Sequence, residues 1–288
     1  MVDRLAVLSW PHGGIVLMTR LILDSTPPQS AALVALDEDQ LKVVNHRQGA
    51  LRVLAGPGTG KTTTLVEAMT ARLTGSDALS PDQVLGLTFG RRAALDWRDR
   101  VTAKVGGGQV PAISTFHSFC YALVRQFQSA EDYLSPFRLL SGPEQEARSR
   151  QLFSNSIADG NLTWPQELMP AVGTRGLAEE VRSVMSRTRS HMMEPSDLVK
   201  LGKQSDQQTW QAIGKFMDEY LDVLDSEGVI DYSELIYRAV LLSHKPEVQK
   251  FLHSRFKAIF VDEYQDTDPG QVSLLKAMVG PETSLVVV

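Results

Sequence analysis

Short apolar runs alternate with amphipathic segments along most of the chain. Five runs read as β-strands, at residues 51–55, 84–89, 112–116, 257–263 and 284–288. Each of the first four precedes a segment whose apolar spacing suits a helix. Strands that are apolar almost throughout and alternate with helices are typical of a parallel sheet covered on both faces. The pattern therefore predicts an α/β fold.

Residues 129–228 interrupt this alternation. They contain helical segments without a convincing strand, separated by loop signals that include glycine or proline. We therefore expect a lead-in over residues 1–30 and a sheet domain built from residues 31–128 and 229–288. A mainly helical insertion is expected over residues 129–228.

The bulk composition excludes a disordered chain and a globally basic nucleic-acid-binding protein. The chain has 288 residues, of which 43% are hydrophobic, and a formal net charge of −5. This size supports one large domain or two smaller ones, each with its own core. The predicted insertion carries 10 Lys or Arg and 16 Asp or Glu residues, so the acidity is concentrated there. Any contact with nucleic acid must rest on local basic patches.

The single cysteine and the N-terminal segment indicate the cellular compartment, and the C-terminal run bears on the length of the protein. The single cysteine, Cys120, excludes an internal disulfide and favours a reducing compartment, so we expect a cytoplasmic location. Pro11, His12, Gly13 and Gly14 interrupt the apolar N-terminal segment, so neither a secretory signal nor a membrane-spanning helix is expected. The β-type run SLVVV ends without a turn, which leads us to expect part of a longer protein.

The strongest local motif is AGPGTGKT, which lies between the first predicted strand and the first predicted helix. In a phosphate-binding loop of this kind, backbone N–H groups surround the phosphates, Lys61 reaches the β- and γ-phosphates, and Thr62 offers its hydroxyl to Mg²⁺. The strict pattern has glycine at the first position, which is Ala55 here. The alternative is a glycine-rich turn with a chance GKT. The predicted nucleotide-binding residues of the loop are Ala55, Gly56, Pro57, Gly58, Thr59, Gly60, Lys61, Thr62 and Thr63.

A second motif, VDEYQD, places acidic residues at the end of a strand that reads as buried. Carboxylates on an apolar strand are costly unless a cation or a phosphate-bearing ligand uses them. Asp262 is expected to hold Mg²⁺ against the loop hydroxyl, and Glu263 to orient and deprotonate the attacking water. Gln265 would sense the γ-phosphate or that water through its amide. Asp266 and Asp268 are expected to cap the next helix, and the alternative is that all four carboxylates are caps.

With both motifs present, the chain resembles the superfamily 1A DNA helicases, the group of UvrD, PcrA, Rep and RecB. LDEDQLKVVNH (36–46) resembles the Q motif of that group, in which Gln40 would read the adenine with its amide. Three further segments match in the same order, motif Ia at 87–101, motif Ib at 113–120 and the return from subdomain 1B to 1A at 228–242. The resemblance covers about residues 31–288. It implies a RecA-like subdomain 1A interrupted by subdomain 1B, ATP and Mg²⁺ as cofactors, single-stranded and duplex DNA as partners, and 3′ to 5′ movement.

Finer features look most like the motor subunits of AdnAB-type helicase-nucleases. These features are the loop GPGTGKTTTLVEA, the form of motif Ia, LLSGPEQ (139–145) and a stretch that begins at WPQEL. The likeness implies a role in DNA repair and a second helicase-nuclease subunit as partner of the full-length protein. Full-length members also carry a second RecA-like domain and arginines that complete the ATP site. We therefore expect this chain alone to bind Mg-ATP weakly and to hydrolyse it poorly.

Motifs Ia and Ib supply the candidate DNA contacts. Phe89 and Phe116 stand at strand ends where, by the resemblance, single-stranded DNA passes, and either ring could stack on a base. Arg91 and Arg92 stand where the group commonly has asparagine and lysine, and they suit phosphate contacts. His117 would donate to a phosphate. The alternatives are core positions for both phenylalanines and a polar helix start for His117.

Other residues near these motifs are assigned to packing. Helical spacing assigns four of them to the core: Trp97, Phe119, Cys120 and Tyr121. The basic run at residues 181–192 suits either a contact with duplex backbone or a solvated helix face.

Two classes of function stay open for the full protein. One is an ATP-driven translocase that unwinds duplex DNA, and the other is a nucleotide-binding scaffold or regulatory subunit. Intact Lys61 and Glu263 favour the translocase, since a subunit without motor activity would be free to lose them. A small-molecule kinase fits less well, because it has no use for the Q motif.

Overall fold

The central feature of the computed structural model is a parallel sheet. The model describes residues 35–106, 110–127 and 137–288. The strands in these residues are β1 (Gly49–Arg52), β2 (Val84–Thr88), β3 (Ala112–Thr115), β4 (Arg138–Leu139), β5 (Val229–Ile230), β6 (Ala258–Val261) and β7 (Ser284–Val287). Five of them form one parallel sheet in the order β1-β7-β6-β2-β3. The predicted α/β fold with a parallel sheet is confirmed.

Helices connect and surround these strands. They are α1 (Glu38–Val44), α2 (Lys61–Thr74), α3 (Arg91–Val105), α4 (Phe116–Phe127), α5 (Gly142–Ala158), α6 (Arg175–Ser190), α7 (Pro195–Gln204), α8 (Gln208–Ser226), α9 (Tyr232–Ser243), α10 (Pro246–Arg255) and α11 (Pro269–Met278). Short 3₁₀ turns occur at Pro81–Gln83, Gln166–Ala171 and Tyr264–Asp266. Among the described residues, no helix is long and apolar enough to cross a membrane.

The sheet separates two apolar layers. On strand β6, Ile259 and Val261 face one layer, whereas Ala258 and Phe260 face the other. Helices α4, α9, α10 and α11 supply the first layer, and α1, α2 and α3 supply the second. Because both faces of every central strand are covered, apolar residues occupy consecutive positions instead of alternate ones.

Gly86 lets the second layer approach the sheet closely. A Cβ atom at this position of β2 would lie 3.1 Å from Ile113 Cγ1, 3.1 Å from Met69 Cε and 3.3 Å from Trp97 Cη2. Trp97 of α3 is 1% exposed, and its ring packs against a strand position that has no side chain. Packing at this density leaves no room for an added branched side chain.

A separate helical core lies within the region predicted as an insertion. Helices α5, α6, α7 and α8 enclose Phe153, Phe216 and Trp164, all of which are buried. The Phe153 ring packs edge-on against Trp164 and Phe216, at centroid distances of 4.9 and 5.1 Å. These contacts fall in the range that favours aromatic pairs, so the region has its own packed core.

A two-stranded ladder marks the base of this helical region. Strands β4 and β5 pair in parallel, with Arg138 opposite Val229 and Leu139 opposite Ile230. The prediction that residues 129–228 hold no strand is wrong at β4. Two-residue strands carry no readable period, and this pairing joins residues that are far apart along the chain, so no local pattern could reveal it.

Buried ionic contacts join the helical region to α9. Arg189 of α6 is 6% exposed, ion-pairs with Glu234 at 2.9 Å and donates to Glu194 at 2.9 Å. Its guanidinium also lies 4.0 Å from the centroid of the Tyr237 ring. Burial raises the pKa of Glu234, and the Arg189 charge opposes that rise. The contact therefore compensates a carboxylate that would otherwise be costly in this position.

We predict that Gly86→Val destabilises the fold by about 1–3 kcal/mol, because the added methyl groups overfill the space beneath Trp97. Urea unfolding monitored by circular dichroism measures the loss. Gly142→Ala is the matched control, since a Cβ there meets nothing within 4 Å. An unchanged unfolding midpoint for Gly86→Val would contradict the packing described for β2.

Candidate active site

The phosphate-binding loop lies between β1 and α2. Gly58 and Gly60 have φ angles of 76° and 80°, in the left-handed region that side chains rarely adopt. The Thr59 hydroxyl donates to the Gly56 carbonyl at 2.9 Å and closes the loop. Helix α2 begins at Lys61, so the free N–H groups of its first turn point into the loop. Loop and helix start together form a site suited to phosphate.

Thr62 and Asp262 meet at the carboxyl edge of the sheet, although β7 separates β1 from β6. Asp262 follows β6 directly, and the Thr62 hydroxyl donates to Asp262 Oδ2 at 3.4 Å. The backbone N–H of Asp262 donates to the Leu87 carbonyl at 3.0 Å, which fixes the residue beside β2. The pairing predicted from two motifs 200 residues apart is thus present in the structure.

Asp262 is a buried carboxylate. It is 5% exposed, and burial raises the pKa of Asp262, with the neighbouring Glu263 charge adding to the rise. Hydrogen bonds from the Glu263 backbone and the Thr62 hydroxyl, together with the Lys61 charge, act in the opposite direction. Burial destabilises the charged form of this carboxylate. A bound cation would stabilise that form.

The two oxygens fit a magnesium ion. Mg²⁺ prefers oxygen ligands at about 2.0–2.1 Å and commonly takes one or two from the protein, with water and substrate phosphates completing the set. The 3.4 Å separation of Thr62 Oγ1 and Asp262 Oδ2 is compatible with neighbouring positions around one such ion. Within the described residues there is no group of three or more His, Cys, Asp or Glu side chains that could hold a metal by themselves.

Glu263 adopts an unusual backbone conformation. Its φ angle is 55°, in the left-handed region, and its side chain accepts a hydrogen bond from the Gln265 amide. The next residue, Tyr264, donates its backbone N–H to the Val288 carbonyl at 2.7 Å, which pins the turn to the end of β7. Such strain persists only where surrounding contacts enforce it, and it is concentrated at functional sites.

The two carboxylates that follow Glu263, at Asp266 and Asp268, have different positions. Asp268 caps α11, since its Oδ1 accepts from the Gln271 N–H at 2.8 Å and Gln271 Oε1 accepts from the Asp268 N–H at 3.1 Å. The predicted cap at Asp268 is confirmed. The cap predicted for Asp266 is wrong, because this exposed residue lies in the 3₁₀ turn at Tyr264–Asp266, two residues before the cap position.

Gln40 lies against the phosphate-binding loop. It occupies the first turn of α1, and its Nε2 donates to the Thr59 carbonyl at 3.2 Å. Asp37 and Gln40 also form a capping box, with Gln40 N donating to Asp37 Oδ1 at 2.7 Å. The Asp-x-x-Gln spacing is the sequence signal from which this helix start could have been found.

The Thr63 hydroxyl faces away from the loop. It accepts a hydrogen bond from Arg100 Nη2 of α3 at 2.9 Å. Thr63 can therefore serve a nucleotide through its backbone N–H at the helix start, whereas its side chain belongs to the contact between α2 and α3. Neighbouring threonines thus have separate tasks.

A cavity of about 690 Å³ opens beyond the carboxyl ends of β2 and β3. Three predicted DNA-contact residues line it, Phe89, Arg91 and His117. Aromatic and basic residues that sequence reasoning did not assign to DNA also line it: Tyr121, Arg125, Phe137, Arg138 and Tyr232. Rings interleaved with arginines are the composition of single-strand binding grooves.

Two aromatic predictions are wrong. Phe116 is fully buried in the first apolar layer and packs beneath Phe89 at a centroid distance of 5.4 Å, so a base cannot reach it. Tyr121, predicted as core, is 36% exposed and packs edge-on against Phe137 at 5.4 Å. Helical spacing places both on one helix but cannot tell which face is covered. Arg92 is exposed and lies outside the cavity lining.

His117 packs edge-on against Tyr232, with ring centroids 5.0 Å apart. Burial lowers the pKa of His117, and the Asp268 charge opposes this. The lowered pKa favours the neutral imidazole, which can still donate one N–H to a ligand.

A parallel sheet with a glycine-rich loop after one strand and a buried carboxylate after another defines a nucleotide-binding domain of the P-loop class. Residues 36–288 match the family model of the UvrD/REP helicase N-terminal domain, and the chain belongs to that family. The superfamily 1A resemblance is confirmed at this level.

Curated relatives agree with the family. The chain is 27% identical over 261 residues to the ATP-dependent DNA helicase PcrA of Staphylococcus aureus (strain Mu50 / ATCC 700699), covering 90% of this chain and 33% of that protein. It is 26% identical over 260 residues to the ATP-dependent DNA helicase UvrD1 of Mycobacterium tuberculosis (strain CDC 1551 / Oshkosh), covering 89% of this chain and 32% of that protein. The chain thus spans about a third of the length of these relatives.

We predict that Thr62→Val weakens the Mg²⁺-dependent part of ATP binding at least tenfold, because the ion loses a protein oxygen. Titration of a fluorescent ATP analogue with and without Mg²⁺ measures this. Thr63→Val is the matched control and should bind as the wild type does, since its hydroxyl contacts Arg100. Equal losses in the two variants would refute the assignment of Thr62.

For the cavity, Tyr121→Ala should weaken binding of an oligothymidine strand by roughly 1–3 kcal/mol, through loss of a stacking ring. Tyr121→Phe keeps the ring and should bind normally. Fluorescence anisotropy at fixed salt measures both variants, and unchanged binding by Tyr121→Ala would exclude the cavity as a DNA site.

Proposed function

We propose that this chain is the ATP-binding half-site of an ATP-driven DNA helicase that translocates on single-stranded DNA. The observation that carries the proposal is the contact between Thr62 and Asp262 at 3.4 Å, with Glu263 next to it. A structural role would not require a buried carboxylate, a loop hydroxyl and a strained glutamate to meet at the end of one sheet. Family membership and the names of the relatives support the same reading.

The residues divide the work of hydrolysis. Lys61 and the loop N–H groups bind the phosphates, and Gln40 contacts the base. Thr62 and Asp262 would hold Mg²⁺, which neutralises developing charge on the phosphates. Glu263 takes a proton from the attacking water, and Gln265 holds the Glu263 carboxylate in place through the hydrogen bond already present.

DNA would occupy the cavity lined by Phe89, Arg91 and Tyr121. In parallel α/β sheets, ligands bind outside the carboxyl ends of the strands. The cavity beyond β2 and β3 and the nucleotide site beyond β1 and β6 both lie at this edge. A conformational change at the nucleotide site would therefore act on the DNA-binding cavity along the same edge of the sheet.

Finer assignments rest on the resemblance in motif form. We propose 3′ to 5′ movement, a role in DNA repair, and a second helicase-nuclease subunit of the AdnAB type as partner.

The duplex would meet the helical region formed by α5 to α8, which we assign to subdomain 1B. The sheet domain corresponds to subdomain 1A. The free, buried Cys120 supports a reducing compartment, for which we propose the cytoplasm. A scaffold without motor activity is the alternative, and the presence of Lys61 and Glu263 favours the motor.

We predict that Glu263→Gln lowers phosphate release from ATP by about 10²–10⁴-fold, because a neutral amide cannot accept the proton. The same variant should bind ATP as tightly as the wild type. Release is measured with and without single-stranded DNA, in this chain and in any longer protein that its gene encodes.

Asp266→Asn is the control for this experiment, since it removes an exposed charge from the same turn. Its rate should match the wild type. Retention of the full rate by Glu263→Gln would contradict the proposed base and would favour the scaffold.

A further inference from the structure

Helix α1 carries Gln40 but has little apolar anchoring. In this helix, Val43 is 6% exposed, and Val44 is half-buried against the second apolar layer. Leu41 is 44% exposed. Two valines form a short apolar contact for a helix that must hold a ligand-reading amide in place. Among the described residues, polar contacts at the two ends of α1 add to this apolar contact.

At the N-terminal end, Gln40 still has hydrogen-bonding capacity for a ligand. Gln40 Nε2 donates one proton to the Thr59 carbonyl at 3.2 Å, and Gln40 Oε1 accepts from the Asp37 N–H at 3.0 Å. A side-chain amide has two N–H groups and two acceptor sites. One of each is left over, and an adenine edge offers an acceptor at N7 and a donor at N6.

At the C-terminal end, Arg47 closes the helix. Its Nη1 donates to the carbonyls of Val44 at 2.7 Å and His46 at 3.2 Å. Its Nε donates to Asp77 Oδ2 at 2.9 Å. Asp77 lies in the loop that follows α2. The Arg47 side chain therefore joins the last carbonyl of α1 to the C-terminal end of α2.

A buried arginine fixes the other side of that carboxylate. Arg72, in the last turn of α2, is 6% exposed and donates from Nη1 to Asp77 Oδ2 at 3.3 Å. A hydrogen bond from its own backbone and the charges of Arg47 and Arg72 keep the pKa of Asp77 below its usual value. Asp77 is thus ionised at neutral pH and lies between two guanidinium groups. One of them, that of Arg72, belongs to the last turn of α2.

We propose that Arg47, Asp77 and Arg72 form a clamp that positions Gln40 and so sets the selectivity of the site for adenine nucleotides. The inference rests on the proposed ATP-binding function. The clamp holds α1 on the C-terminal end of α2, while Gln40 meets the loop at the N-terminal start of the same helix. Loosening one end lets the amide at the other end move away from the base. The three residues are positioning residues, since they act through α1.

The test compares ligands with and without a base. Affinities for Mg-ATP, Mg-GTP and Mg-tripolyphosphate are measured by calorimetry on Arg47→Ala, on Asp77→Asn and on the double variant. Asparagine keeps an oxygen that can accept from Arg72, so the buried guanidinium retains a partner. ATP affinity should fall about three- to tenfold in each single variant. Tripolyphosphate affinity should not change, and the preference for ATP over GTP should shrink.

The two single losses should not add, because both variants break one contact. Glu282→Ala is the matched control, since it removes an ion pair with Lys257 of 2.8 Å elsewhere on the protein. In steady-state hydrolysis the clamp variants should raise KM for ATP with kcat unchanged. Equal losses for ATP and tripolyphosphate would overturn the clamp in favour of a general structural role, and so would unchanged ATP affinity. A wild-type protein that binds none of the three ligands would overturn the proposed function itself.

Discussion

The parallel pairing of β6 between β7 and β2 is the interaction on which the site depends. Val261 lies opposite Leu87 on one side and Val287 on the other. The ladder continues one residue further, where the Asp262 N–H donates to the Leu87 carbonyl at 3.0 Å. Because side chains alternate between the faces of a strand, a slip of one residue would turn Asp262 away from Thr62. The position of the carboxylate is therefore a property of the sheet and not of a loop.

Buried carboxylates in this protein differ in how well they are compensated. Asp231 accepts from the Gln145 amide, the Tyr220 hydroxyl and the N–H of Glu234, and it caps the N-terminus of α9. Asp262 has a hydroxyl at 3.4 Å and the adjacent backbone N–H at 3.1 Å. Burial raises the pKa of both. The contacts of Asp231 are those of a structural cap, whereas the Asp262 carboxylate keeps acceptor capacity that a cation could use, as expected of a functional position.

Much of the fold and the core of the site could be predicted from the sequence. Apolar strands followed by helices gave the parallel sheet, and the glycine-rich loop and VDEYQD motif identified residues that the structure brings together. What failed was information carried by distant contacts. Phe116 and Tyr121 share a helix, and only the packing of that helix against Phe89 on one side and Phe137 on the other decides which ring is covered. The β4–β5 ladder was invisible for the same reason.

Local chemistry explains the remaining differences. Asp266 and Asp268 look equally suited to capping, but the 3₁₀ turn consumes three residues before α11 can begin, so the later residue takes the cap. The clamp on α1 had no sequence signal, because Arg47 and Asp77 are 30 positions apart in segments that carry no motif. Polar contacts between residues so far apart in sequence can be identified only from the three-dimensional structure.

Hydrogen–deuterium exchange of this chain with and without a slowly hydrolysed Mg-ATP analogue tests the central claim most directly. The analogue should protect residues 56–63 and residues 262–265 together, since one ligand would lie between the loop and the end of β6. Protection of the loop without the second segment, or binding that protects neither, would contradict the shared site built on Thr62 and Asp262.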